Sequence, residues 1–213
     1  MNHNARGSMA RGLLIAGGVI AVLLLVVVMA FIGRYNELVG RQEQVDAAWS
    51  EVDNQYKRRF DLVPQLVSTV QGAADFEKST ITEVTEARAS VGRAQMPPGL
   101  PEDPAQLQAY NQAQQGLGAA LSRLLVVVER YPDLKASANF LALQDQLEGT
   151  ENRIAVARRD YIDAVRVYNT LRRRFPANLI AGMFGFEAVP QLQIDEGERD
   201  TPQVDFDFEK NDG

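Results

Sequence analysis

The chain has 213 residues, 46% of them hydrophobic, with 22 Lys and Arg against 28 Asp and Glu. This length suits one domain with appendages, and the composition argues against global disorder. The chain has no cysteine, and its single histidine, His3, lies in the N-terminal tail. Disulfide scaffolds, thiolate metal sites and catalysis by Cys or His are therefore excluded.

The net charge of −6 belongs to the C-terminal tail. Residues 187–213 contain nine acidic and two basic side chains, so the preceding 186 residues carry a balance of +1. A nucleic-acid-binding protein would show an excess of basic charge. No nucleic-acid partner is expected.

The first predicted element is a membrane anchor. Residues 13–32 form a run of 20 residues without a charged or strongly polar side chain, flanked by Arg11 and Arg34. A helix of this length spans ~30 Å, the thickness of the hydrocarbon core of a bilayer. The alternative is a cleaved signal peptide, whose apolar core is usually shorter. We expect an uncleaved transmembrane helix over residues 12–33, preceded by an N-terminal tail over residues 1–11.

The lipid bilayer is therefore the first expected partner, and the chain is predicted to cross it once. Orientation follows the excess of Lys and Arg in the flanking segments. Arg6 and Arg11 precede the anchor, and Arg34 and Arg41 follow it. This balance leaves open the side of the membrane on which the remaining chain lies.

After the anchor, apolar residues recur at alternating steps of three and four, which is typical of helices. This pattern predicts a first helix from about residue 35 to residue 60 and a second over residues 63–91. Pro64 either kinks one long helix or begins a new one capped by Asp61. A continuous helix from residue 35 to residue 94 would be ~90 Å long. We therefore expect a chain reversal at residues 61–64.

Two further helices follow the proline-rich loop at residues 97–101. Pro104 suits the first turn of the third helix, with Asp103 as its N-cap, and Pro132 ends it. The fourth helix keeps its apolar stripe over 36 residues, from Phe140 to Phe175, until Pro176. The fold class is all-α: a transmembrane helix, then an antiparallel up-down four-helix bundle with long helices over residues 34–176. An apolar segment, followed by an irregular, extended acidic tail, covers residues 177–213.

Several sequence blocks resemble the LemA family of membrane-anchored bacterial proteins. They include YNELV at residues 35–39, RRFDLVPQLV at 58–67, LEGTENRI at 147–154 and FPANLIA at 175–181. Further blocks lie at residues 45–52, 80–88, 131–136 and 184–186. The resemblance implies an N-terminal transmembrane helix, a four-helix bundle and a location in the bacterial inner membrane, crossed once. It implies no enzyme, because the family has no established biochemical activity.

Charged residues within these blocks form a candidate structural polar network. Extending the apolar stripes places Arg59 and Glu77 near inward-facing positions, and a buried charge needs a partner. The alternative is that these side chains extend along the surface to reach water. The candidate members are Arg58, Arg59, Asp61, Glu77, Glu148 and Glu151.

A second candidate region lies at the end of the fourth helix. In an up-down bundle this end returns to the bilayer, where Arg172, Arg173 and Arg174 would meet anionic headgroups. The apolar residues that follow include Met183, Phe184 and Phe186. This segment is expected to cap the bundle; the alternatives are a position at the membrane interface and a partner site.

The acidic tail alternates apolar and acidic residues over residues 201–208. This pattern suits either an extended segment docked on a surface or a disordered tail. The body lacks the Glu-x-x-His pairs of a di-iron bundle and the acidic loop of a calcium site. No metal, cofactor or catalytic residue is expected.

The leading prediction is a non-catalytic interaction or assembly scaffold at the membrane. Its partner would be a second copy of the chain or another membrane protein. One alternative is a membrane-surface binding or remodelling protein acting through residues 172–186. The other is an enzyme with an unrecognised carboxylate and arginine site.

Overall fold

The computed structural model describes residues 4–73, 76–97 and 99–192, with side chains from residue 17 onward. All regular secondary structure in these ranges is helical, which confirms the all-α prediction for this part of the chain. The alternating residues 201–208 of the acidic tail lie outside it. Helix α1 begins at Asn4, within the stretch expected to be a tail.

Helix α1 (Asn4–Gln71) is a single helix of 68 residues, about 100 Å long. Pro64 lies inside it, so the predicted reversal at residues 61–64 is wrong. Pro64 is exposed, whereas Val63, Leu66 and Val70 continue the buried stripe of the preceding turns. Packing of this stripe outweighs the helix-breaking cost of proline, which is about 3 kcal/mol. The chain turns instead after Gln71.

The two halves of α1 have opposite surroundings. The large apolar side chains between Val19 and Ile32 are at least half exposed, except Phe31, which is partly buried against the core. From Leu38 onward α1 carries a regular buried stripe. One helix of the described chain is therefore long and apolar enough to cross a membrane, and the same helix continues into the core.

Helices α2 (Lys78–Arg93) and α3 (Pro104–Val128) pack against each other, and α2 also contacts α1. The Asp103 carboxylate accepts a hydrogen bond from the Ala105 backbone N–H at 2.8 Å, and Pro104 lies in the first turn. Both features of this helix start agree with the sequence prediction. A short helix, α4 (Pro132–Lys135), follows α3.

Helix α5 (Ala138–Arg173) has 36 residues and packs lengthwise against α1. The Ser137 hydroxyl oxygen caps it by accepting from the Phe140 N–H at 3.3 Å. Helix α6 (Ala177–Phe184) packs against both α1 and α5, and Gly185 ends it with a φ of +73°. This positive φ suits glycine, which has no Cβ to clash in the left-handed region.

Residues 186–192 then run along α5 without helical structure. Val189 and Leu192 of this segment are buried and join the same apolar core as the helices. The core contains aromatic side chains from three long helices, among them Trp49, Tyr56, Tyr110 and Tyr161.

Candidate functional site

A buried arginine lies where α1, α3 and α5 meet. Arg59 is 3% exposed. Its Nη1 donates to the Glu151 carboxylate oxygens at 2.9 and 3.1 Å, and its Nη2 donates to the Gln114 side-chain oxygen at 2.6 Å and backbone carbonyl at 2.8 Å. Charge-assisted hydrogen bonds of this kind are the stronger ones in proteins. The guanidinium of Arg59 therefore connects α1, α3 and α5 through hydrogen bonds at the same height in the helical body.

Gly118 on α3 makes room for this arrangement. A Cβ at position 118 would lie 3.3 Å from Arg59 Nη1, which is closer than ordinary van der Waals contact. Gly118 lies one turn after Gln114, so its missing side chain opens the approach to the Gln114 carbonyl. A small residue on α3 thus allows the buried charge to reach its partners.

The other predicted network residues lie elsewhere. Arg58 and Asp61 are exposed on α1, and Glu148 is exposed on α5, where it accepts from Gln144 at 2.9 Å. Glu77 precedes α2 and pairs with Arg130 at 2.9 Å on the surface. The structure brings together Arg59 and Glu151 from the six candidates.

Gln114 also belongs to the network, although the sequence pattern alone does not identify it as a member. Its position in the apolar stripe of α3 was the available signal, because a polar residue on a core-facing stripe needs a hydrogen-bonding partner inside. Gln114 is 2% exposed, and that partner is Arg59.

A cleft beside this network opens between α1, α3 and the loop after α2. Asp61, Lys57 and Gln95 line it, together with Tyr110, whose hydroxyl donates to the Asp53 carboxylate at 3.2 Å. Burial and the adjacent Asp53 charge raise the pKa of Tyr110. The phenol therefore stays protonated at neutral pH and acts as a hydrogen-bond donor.

Four aromatic rings meet at the other end of the helical body. Phe184 of α6 lies 4.9 Å from the ring of Tyr35 and 6.2 Å from the ring of Phe31. Phe186 lies 5.7 Å from Tyr35. Such tilted and edge-on contacts add to the energy of apolar burial. They fix α6 next to the end of the exposed apolar stretch of α1.

Helix α5 holds residues 186–192 through polar side chains. The Asn169 amide donates to the Val189 carbonyl at 2.8 Å and accepts from the Val189 N–H at 3.2 Å. Arg172 Nε donates to the Phe186 carbonyl at 2.6 Å. Residues 186–192 belong to no helix or sheet, so these side chains supply hydrogen-bonding partners for the backbone groups of the segment.

Two tyrosines of α5 extend this series. The Tyr168 hydroxyl donates to the Glu187 carbonyl at 2.8 Å, and the Tyr161 hydroxyl donates to the Pro190 carbonyl at 2.9 Å. Burial raises the pKa of both phenols. From Phe186 to Pro190 the partners on α5 move from Arg172 back to Tyr161, so the segment runs antiparallel to the helix.

The predicted segment over residues 172–186 therefore divides into two sets. Arg172 and Phe186 are partly buried and contact the helical body. Arg173, Arg174 and Met183 are exposed, and Phe184 is 53% exposed although its ring touches Tyr35. Sequence reasoning did not identify Tyr161, Tyr168 or Asn169 as contacts of the segment.

Within the described residues, no group of three or more His, Asp or Glu side chains is arranged to hold a metal ion. The buried polar side chains of the body include Arg59, Asn111, Gln114 and Thr150. Thr150 donates to the Gln146 carbonyl one turn earlier, as threonine often does within a helix. The hydrogen bonds of Arg59 to Glu151 and Gln114 are suited to fixing the register of the three helices relative to one another.

Comparisons with known proteins identify the family. The family model described as "LemA family" matches residues 48–206. Magnetosome protein MamQ 2 of Paramagnetospirillum magneticum is 29% identical over 92% of this chain and 78% of its own length. Magnetosome protein MamQ of Magnetospirillum gryphiswaldense is 26% identical over 87% of this chain and 74% of its own. Protein LemA of Metamycoplasma hominis is 26% identical over 79% of this chain and 73% of its own. The resemblance seen in the sequence blocks is confirmed, and the chain belongs to the LemA family.

Proposed function

We propose that this protein is a single-pass protein of the bacterial inner membrane that presents a four-helix bundle as a non-catalytic interaction or assembly module. Helices α1, α2, α3 and α5 would form the bundle, in up-down order. The partner would be a second copy of the chain or another membrane protein.

The continuity of α1 is the observation that carries the proposal. Its apolar stretch between Val19 and Ile32 is exposed, and the next buried position, Leu38, is less than two turns further along the same helix. A bilayer would cover these apolar side chains, whose exposure to water is unfavourable. The bundle would then stand directly on its anchor, without a flexible linker.

Contacts between the helices support the bundle. Glu151 of α5 pairs with Arg59 of α1, and Arg123 of α3 pairs with Glu83 of α2 at 2.5 Å. Arg88 of α2 stacks 3.8 Å from the Phe60 ring of α1. These contacts, together with short connections between successive helices, support antiparallel neighbours.

Three observations support a role without catalysis. The sequence has no cysteine and one histidine, at position 3. The buried charge of Arg59 is engaged by Glu151 and Gln114. Two relatives carry names that assign them to the magnetosome rather than to a reaction.

Membrane extraction and crosslinking of the full chain in cells test the proposal. A charged side chain at the centre of a transmembrane helix costs about 2.5–3.5 kcal/mol. The double substitution Val22→Arg and Val26→Arg should therefore release the protein from membranes washed at alkaline pH. The matched substitution Val22→Leu and Val26→Leu should leave it there. Equal retention of the two variants would contradict the anchor.

The interaction role is tested with a photo-crosslinking residue at Val156, which is 52% exposed on α5. We expect adducts of discrete mass that disappear in the Val22→Arg, Val26→Arg variant. They should persist when Asp61→Asn, Glu77→Gln and Glu148→Gln remove exposed carboxylates. Absence of adducts from the anchored chain would contradict the scaffold.

A further inference from the structure

The outer face of α6 is apolar and exposed. Leu179 and Met183 are 56% and 71% exposed, and their spacing of four residues places them along one side of the helix. Phe175, in the turn just before α6, is 79% exposed. Ala177, Ile180 and Ala181 are buried against α1 and α5 on the other side. Exposing a row of large apolar side chains to water is energetically unfavourable, so this face is expected to be covered.

This face lies next to the end of the apolar stretch of α1. The Phe184 ring contacts Phe31 and Tyr35, which are one helical turn apart. Ile32, the last apolar residue of the stretch, is 50% exposed. A bilayer crossed by α1 would therefore have its surface at the level of α6.

The charges around α6 suit a lipid headgroup layer. Arg173 and Arg174 are exposed at the end of α5, directly before Phe175. Arg34 pairs with Glu37 at 2.6 Å, and Glu187 is exposed beyond α6. Basic side chains close to an anionic lipid surface are attracted to it.

We propose that α6 lies in the membrane interface as a second lipid contact. Phe175, Leu179 and Met183 reach the boundary between headgroups and acyl chains, and Arg173 and Arg174 bind lipid phosphates. This inference rests on the proposed anchoring of α1. It gives the body a fixed orientation on the bilayer, because two contacts remove rotation that a single helix would permit.

The size of the face favours lipid over a second copy of the chain. A stable protein interface buries about 800 Å² on each partner. Three side chains supply a small part of that area, whereas an interfacial helix needs a narrow apolar face and nearby basic residues. The continuity with the α1 stretch points to the same occupant.

Fluorescence of the full chain in vesicles of phosphatidylcholine and phosphatidylglycerol tests the inference. The chain has no cysteine, so the substitutions Met183→Cys, Ser122→Cys and Val22→Cys each accept one environment-sensitive dye. We expect a blue-shifted emission at position 183, with quenching by spin-labelled lipid several-fold stronger than at position 122. Position 22 is the reference for the anchor.

The fluorescence results at positions 22 and 183 distinguish the α6 lipid contact from the α1 anchor. Lipid quenching at position 22 with water-like emission at position 183 would overturn the α6 contact and leave the anchor standing. Water-like emission at both positions would overturn the anchor as well. Blue-shifted emission at position 183 without quenching by lipid would show a protein occupant and also overturn the inference.

Discussion

The helical body has two contrasting parts. The distal part consists of α2, α3 and α4 with the stretches of α1 and α5 against them. The proximal part consists of α6 and residues 186–192 with the stretches of α1 and α5 that they contact. Aromatic rings close both ends: Phe76 lies 5.0 Å from Tyr131 in the distal part, and Phe184 lies 4.9 Å from Tyr35 in the proximal part.

The outer surfaces of the two ends differ in polarity. At the distal end Glu77 pairs with Arg130, and Glu129 pairs with Lys135. At the proximal end the exposed side chains include Phe175 and Met183. Similar internal packing thus supports a surface suited to water at one end and a surface suited to an apolar phase at the other.

The largest expected effect tests the distal part. Arg59→Ala leaves Gln114 and Glu151 without their partner, and we expect it to lower the free energy of unfolding by roughly 2–4 kcal/mol. The Glu151 side chain is 41% exposed, which keeps the loss below that of a fully buried pair. Urea unfolding of the full chain in detergent micelles, followed by circular dichroism, measures the effect.

Arg58→Ala is the matched control for this substitution. Arg58 is exposed on the same helix, so its loss should change stability by less than about 0.5 kcal/mol. Equal unfolding midpoints for the two variants would contradict a stabilising role of the Arg59 network.

A smaller effect tests the proximal part. Asn169→Ala removes both hydrogen bonds to Val189, and we expect a local loss of about 1–2 kcal/mol. Hydrogen exchange at the Val189 amide should accelerate while exchange in α3 stays unchanged. Asn152→Ala, an exposed position on the same helix, is the control. Unchanged protection of Val189 would show that other contacts hold the segment.

The smallest expected effect is a loss of folding stability at alkaline pH, which can be measured separately for the two parts. Burial raises the pKa of Tyr161 in the proximal part, and burial with the Asp53 charge raises that of Tyr110 in the distal part. The unfolded phenols ionise near pH 10, so stability is fully present below that pH and falls above it. The loss is about 0.8 kcal/mol for each tyrosine at about pH 10.5.

Thermal unfolding between about pH 9 and pH 10.5 measures this loss. Tyr161→Phe and Tyr110→Phe should each flatten the pH dependence of the melting temperature. A pH dependence that neither substitution changes would contradict the assignment.

Regular patterns made much of the fold predictable. The stripe of α5, the Asp103 cap of α3 and the apolar stretch of α1 are local features of the sequence. The prediction at Pro64 failed because it assumed that a helix passing through Pro64 would continue to residue 94, whereas the chain turns after Gln71. The buried part of α1, from Leu38 to Val70, is about as long as α5.

The polar contacts were harder to predict. Arg59 was identified from its place on a stripe, but its partner Gln114 is 55 residues away. Asn169 and Tyr168 bind backbone carbonyls of an irregular segment. Such bonds produce no periodic pattern in the sequence, because the backbone of any residue can supply the accepting carbonyl.

The unbroken course of α1 has a mechanical consequence. In the proposed membrane orientation, a change in tilt of the anchor moves the whole body as a rigid lever. The arm from Arg34 to Gln71 is roughly 55 Å long, so a tilt change of about 10° displaces its distal tip by about 10 Å. Transmembrane helices adjust their tilt to the thickness of the bilayer. The position of the distal end would therefore report bilayer thickness to whatever the body binds.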